Sequence, residues 1–197
     1  MSKKMVCLSL FLVSVFVVVG CAPKIMAVGY SADMVSKMGK IKVKGKVYAG
    51  IDRTRMEILD PAGKKIITIT RLDKGVSYLL NPEEKTYMES PTARGESRMM
   101  MDLSKKFPGE IERKKIGRET VSGILCDKYR FVTQIPTPMG ETTTLTVYTW
   151  VSQDGIPVKS ETPDGSMSSL LTNIKRGKQP AALFEIPAGY KKFEFKF

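Results

Sequence analysis

The stretch Lys40-Ile41-Lys42-Val43-Lys44-Gly45-Lys46-Val47 decides the fold, because every even position is lysine and every odd one is apolar or glycine. Side chains alternate across a strand with period two, so this pattern sends the lysines to a wet face and Ile41, Val43 and Val47 to a covered one. The same alternation returns at Met56/Ile58, Ile67/Ile69, Val76/Tyr78/Leu80, Leu125/Tyr129/Phe131, Leu145/Val147/Val151 and Phe193/Phe195/Phe197. Each is read as a strand with one apolar face. Between them lie Asp60-Pro61-Ala62-Gly63, Asp73-Lys74-Gly75, Asn81-Pro82, Asp154-Gly155 and Pro163-Asp164-Gly165, which carry turn chemistry. Their short spacing favours hairpins, and an antiparallel meander follows. Lysines on the alternate faces leave no lipid-facing apolar band, which argues against a transmembrane barrel.

One segment breaks the pattern. From Arg94 to Phe107 the β-branched residues disappear, and Met99, Met100, Leu103 and Phe107 fall at helical spacing on one face, with Met101 off it. Pro91 before the segment and Pro108-Gly109 after it supply start and stop signals. Such a helix could be a movable lid over an apolar cavity, since methionine fits irregular surfaces, or ordinary core closing the sheet. A shorter helical turn is expected around Gln179 to Phe184. The stretch from Met26 to Met38 is ambiguous between strand and helix.

The chain opens with Lys3 and Lys4, followed by an apolar run from Val6 to Val19 that only Ser9 and Ser14 interrupt. A membrane-crossing helix needs about 20 apolar residues. The run is shorter and reads as a secretory signal. Val18-Val19-Gly20-Cys21 resembles the bacterial lipoprotein signal, in which an aliphatic residue, a small or aliphatic one and Gly or Ala precede Cys. The resemblance implies cleavage before Cys21 and acylation of that residue. Residues 1–20 are then the signal, which takes Cys7 with it, 21–29 the anchor and a short linker, and 30–197 one domain, large enough for a sizeable core. Ala22 after the cysteine implies, by resemblance to enterobacterial sorting, the outer membrane facing the periplasm.

The formal net charge is +12, from 32 Lys and Arg against 20 Asp and Glu. A basic balance suits an anionic partner. For an anchored envelope protein that partner is a membrane surface rather than nucleic acid. Lys37, Lys40, Lys42, Lys44 and Lys46 could touch anionic head groups, or simply keep an outward strand face soluble and unpaired. Arg53 and Arg55 alternate with Thr54 and Met56, so both guanidiniums face away from Met56. At a cavity rim they could hold a phosphate or carboxylate head group; the plainer reading is an ion pair with Glu57 or Glu89.

Histidine is absent, and Cys126 is the one cysteine of the mature chain besides Cys21. No intramolecular disulfide is available, and Ser-His-Asp, Cys-His, His-based zinc and haem-attachment chemistry are removed. No glycine-rich phosphate loop appears, and neither cofactor nor metal is expected. Ser104-Lys105 and Glu83-Glu84 remain, but adjacency in sequence says nothing about convergent geometry, and a non-enzymatic protein is expected. Trp150, Tyr148 and Phe131 read as core or cavity lining and Cys126 as a small buried residue.

Several motifs occur in a familiar order: Arg53-Thr54-Arg55-Met56-Glu57, Arg71-Leu72-Asp73-Lys74-Gly75-Val76, Lys85-Thr86-Tyr87-Met88, Gly123-Ile124-Leu125-Cys126-Asp127-Lys128-Tyr129, Gly155-Ile156-Pro157-Val158-Lys159 and Phe184-Glu185-Ile186-Pro187-Ala188-Gly189-Tyr190. From about Met26 to Lys192 the chain resembles bacterial lipoproteins of unknown function that are similar to the LolA/LolB-like outer-membrane lipoprotein carrier and receptor superfamily. The resemblance implies an antiparallel, incomplete β-barrel whose concave apolar side is covered by one or more helices. It implies a ligand with an acyl chain, a lipid or a lipoprotein, bound in that cavity. The alternative is a tethered envelope adaptor that keeps the scaffold with a filled core.

Overall fold

The computed structural model describes residues 29–60, 62–92, 109–136 and 141–193, apart from the side chains of Ile135 and Pro136. The first half of the chain forms β1 (Tyr30–Met38), β2 (Ile41–Ala49), β3 (Arg53–Leu59), β4 (Lys65–Arg71), β5 (Val76–Asn81) and β6 (Thr86–Pro91). The second half forms β7 (Glu110–Val121), β8 (Ile124–Pro136), β9 (Thr142–Ser152), β10 (Pro157–Glu161) and β11 (Met167–Arg176), then a 3₁₀ turn at Ala181–Phe184 and the two-residue β12 (Lys191–Lys192).

Each half is a meander of antiparallel neighbours, as the turn spacing predicts. The two meanders join where β1 pairs with β11, giving one open sheet of order β12-β6-β5-β4-β3-β2-β1-β11-β10-β9-β8-β7. Among the described residues only β12 runs parallel to its partner, β6. Bulges between Ser31 and Asp33, Pro157 and Lys159, Glu110 and Glu112, and Lys115 and Gly117 add coil to the sheet. The result is the incomplete barrel that the motifs imply.

Within the sheet, Gly45 of β2 lies opposite Met34 of β1 and Ile58 of β3. A Cβ at this position would sit 2.1 Å from the Glu57 carbonyl oxygen. Glycine is therefore what lets the two backbones close up there. Gly45→Ala should cost about 1–3 kcal/mol of stability, read as a lower urea midpoint. An unchanged midpoint would show that β2 and β3 do not approach this closely.

The larger core gathers Tyr30 and Met34 of β1, Val47 of β2, Trp150 of β9, Val158 of β10 and Leu171 of β11. Trp150 is buried, its Nε1–H donating to Glu119 Oε2 at 2.7 Å, while the Lys128 and Lys159 ammonium groups lie 4.5 and 4.3 Å from its ring centre. A second cluster packs Phe184 of the 3₁₀ turn on Ile67, Ile69 and Leu80.

Two local expectations change and one ambiguity resolves. In β3 the alternation is as read, yet the covered side is the arginine side: Arg55 is 8% exposed and Met56 39%. The cause is the 3₁₀ turn, which lies over Arg55, Ile67 and Ile69. In β8, Leu125 is exposed and Cys126 takes the inward place in the larger core. The Met26–Met38 ambiguity resolves to strand from Tyr30 onward. The helical turn expected near Gln179 is the 3₁₀ turn, and it covers the opposite side of the sheet from the groove described below. The expected helix Arg94–Phe107, Phe195 and Phe197 lie outside the described residues.

Candidate functional site

Register builds a groove from rows of side chains. Ile41, Met38 and Met167 stand side by side across β2, β1 and β11, followed by Val43, Ser36 and Ser169, then Gly45, Met34 and Leu171. Successive rows are two residues apart on each strand and so share one face. Ile58 of β3 and Val147 of β9 wall the sides, and Ser160 of β10 lies beside Ser169. The space they enclose is about 450 Å³, within the span of small-molecule sites.

The polar groups of this wall are turned on each other. Ser36 Oγ donates to Ser169 Oγ at 3.2 Å, and the Thr149 and Ser160 hydroxyls are 3.2 Å apart. Buried polar groups that are already hydrogen-bonded present little demand to a ligand, so the surface on offer is mainly methyl and methylene. At the mouth, Glu161 is held by Lys159 at 2.7 Å. Beyond the inner row, Tyr30 is buried and its phenol is pushed up to about 12 by desolvation, so it stays neutral. Among the described residues no group of three His, Cys, Asp or Glu could hold a metal ion. The arrangement can hold an apolar chain by burial and offers little to fix a polar one.

Arg53 and Arg55 are on the side of β3 opposite Ile58 and therefore away from the groove. Arg55 donates through Nε to Glu57 Oε1 at 2.6 Å and through an Nη to the Leu183 carbonyl at 3.1 Å. Arg53 pairs with Asp52 at 2.9 Å and stacks its guanidinium 5.7 Å from the Phe184 ring centre. Arg71, opposite Arg53 in the register, completes the set. It is 5% exposed, takes Asp73 bidentately at 2.8 and 2.6 Å, donates to the Phe184 carbonyl at 3.3 Å and reaches Glu185. Three arginines thus bind the end of the 3₁₀ turn, where carbonyls lack helical partners. They position the C-terminal segment on the sheet, and the carboxylate partner of Arg55 is Glu57.

The other sequence candidates are scattered. Cys21, Met99, Met100, Leu103, Phe107, Ser104 and Lys105 lie outside the described residues. Glu83 and Glu84 occupy an exposed turn, with their amides on Asn81 Oδ1. Cys126 is buried and its thiol is pushed up to about 11 by desolvation, an unreactive state at neutral pH. Reading along the chain missed Ser36, Val147, Ser160 and Ser169 as groove wall. The odd positions Ile41 and Val43 carried the signal, opposite the lysines of β2.

Residues 31–154 match the model of a family described as a domain of unknown function (DUF4412). The chain belongs to that family. No curated protein matches it. Among solved structures, an uncharacterized conserved protein from Thermus thermophilus is similar at a TM-score of 0.57 and 13% identity, covering 87% of this chain and 93% of that one. The MucA/MucB complex of Pseudomonas aeruginosa is similar at a TM-score of 0.51 and 12% identity, over 83% of this chain and 57% of the matched one. Mycobacterium tuberculosis lipoprotein LppX matches at a TM-score of 0.41 and 13% identity, over 75% of this chain and 84% of that one. At such identities the first two likenesses show the fold, the open, curved sheet of this family.

Proposed function

We propose that this protein is a non-enzymatic, lipid-anchored periplasmic protein of the bacterial outer membrane that holds the acyl chain of a lipid or lipoprotein in its groove. The observation that carries the reading is the groove itself: an apolar trough of about 450 Å³ in which Ser36 is hydrogen-bonded to Ser169 and Ser160 to Thr149. Each methylene moved from water into such a wall contributes about 0.8 kcal/mol, so an acyl chain gains affinity along its length without a polar anchor. Titration of residues 21–197, which carry every described strand, with a fluorescent fatty acid tests this. Saturable uptake, displaced by unlabelled fatty acid, is expected; no uptake would reject it.

Anchoring through Cys21 has its own test. Cys21→Ala should release the protein from the membrane fraction, and a mutant that stays wholly membrane-bound with an intact N-terminus would sink the lipoprotein assignment. A second reading has one observation in its favour. The similar MucB is solved in complex with MucA, and by analogy this chain would be a tethered envelope adaptor that grips a protein rather than a lipid.

A further inference from the structure

The hairpin joining β1 to β2 combines two properties at one end of the sheet. On the groove side, Ile41, Met38 and Met167 form the outermost row, and they are 50%, 64% and 36% exposed. On the outer side and in the turn, Lys37, Lys40, Lys42 and Lys44 are exposed, and none is paired with a carboxylate among the described residues. Elsewhere on the sheet Lys65, Lys115, Lys128, Lys159 and Lys192 hold a carboxylate within 3.2 Å, and Lys114, Lys175 and Lys191, which hold none among the described residues, are spread over β7, β11 and β12 rather than gathered at one turn. An apolar row rimmed by unneutralised cations is complementary to a surface with anionic heads above an apolar layer.

We propose that this tip docks on an anionic phospholipid bilayer, with Met38, Ile41 and Met167 entering the head-group and acyl boundary and the lysines meeting the phosphates. The inference goes beyond the acyl-chain reading, because it concerns the outer rim of the groove and holds whether or not the groove is filled. Charge complementarity selects the occupant: near an anionic membrane each lysine gains appreciably, and the effect fades within a Debye length. The geometry permits it. β1 carries the chain about 26 Å from Tyr30 to Met38 at about 3.3 Å per residue. The steps from Cys21 to Tyr30 reach at most about 30 Å, enough for the tip to turn to the membrane that holds the anchor.

The test is sedimentation of residues 21–197, with Cys21→Ser so that no acyl chain contributes, on phosphatidylglycerol and on phosphatidylcholine vesicles. Binding to phosphatidylglycerol, at least about tenfold stronger than to phosphatidylcholine and weakened by salt, is expected. Reversing Lys37, Lys40 and Lys42 to Glu should weaken it about a hundredfold. Reversing Lys114, Lys175 and Lys178, an equal charge change elsewhere, should weaken it far less. Met38→Ser with Ile41→Ser, which leaves the charge untouched, should lower binding about tenfold and serves if the charge variant fails to fold. Absence of binding to phosphatidylglycerol, equal binding to both vesicles, or equal loss in the two triple reversals would each overturn the proposal. Fatty-acid uptake by a Lys40→Glu, Lys42→Glu variant, at two positions that do not line the groove, is expected to persist, so failure here is distinguishable from failure of the groove.

Discussion

Arg71→Ala is expected to lower folding stability by about 3–5 kcal/mol, toward the lower figure because its acidic partners are partly open to water. The guanidinium is nearly buried and joins Asp73, the Phe184 carbonyl and Glu185. Its loss leaves Asp73 without its guanidinium, Glu185 with Lys74 as its remaining partner, and a carbonyl without its donor. The 3₁₀ turn should then lift from Ile67 and Ile69, seen as a lower urea midpoint and as new proteolysis between residues 177 and 193. Arg71→Lys should recover only part of the loss, since an ammonium cannot take Asp73 bidentately. Wild-type stability and normal protease resistance in Arg71→Ala would show that the clamp does not hold the segment.

The same contact fixes a pH dependence. Hydrogen bonding to Arg71 lowers the Asp73 carboxyl from 3.8 to about 2. A carboxyl whose folded pKa lies below its unfolded value adds stability above the unfolded pKa and loses it as pH falls through the folded one. Stability should therefore decline between about pH 4 and pH 2, by about 1 kcal/mol from this group after allowance for solvent screening. In Arg71→Ala that part of the slope should vanish.

Ser169→Trp is expected to abolish acyl-chain uptake, by at least about tenfold, while costing only about 1 kcal/mol of stability from the lost Ser36 hydrogen bond. Ser169 sits in the middle row of the groove wall, so an indole there occupies the space a chain would take. Lys46→Trp, on the exposed outer side of β2, should bind normally. Full uptake by Ser169→Trp would place the ligand elsewhere.

How far the sequence could be read follows from distance along the chain. The lysine alternation at 40–47 identifies β2 and its wet face because period two is a local property. The turn residues likewise mark the hairpins. Which side of β3 is covered was not legible, because the turn that covers it lies far down the chain: Arg55 meets Leu183 across 128 residues and Arg71 meets Phe184 across 113. Seen locally, Arg53 and Arg55 are indistinguishable from cations at a rim. The groove wall has the same difficulty, since Ser36 meets Ser169 across 133 residues and only the β1–β11 register makes them neighbours. Serine is no sign of an apolar site until its hydroxyl is seen to be spent on another serine.

Mass spectrometry of the lipid extracted from the purified protein tests the central claim most directly. Residues 21–197 with Cys21→Ser, exported to the periplasm and purified without detergent, should carry an acyl-bearing lipid near one per protein, and the same preparation of Ser169→Trp should carry none. Lipid absent from the unblocked protein, or present equally in Ser169→Trp, would contradict the account.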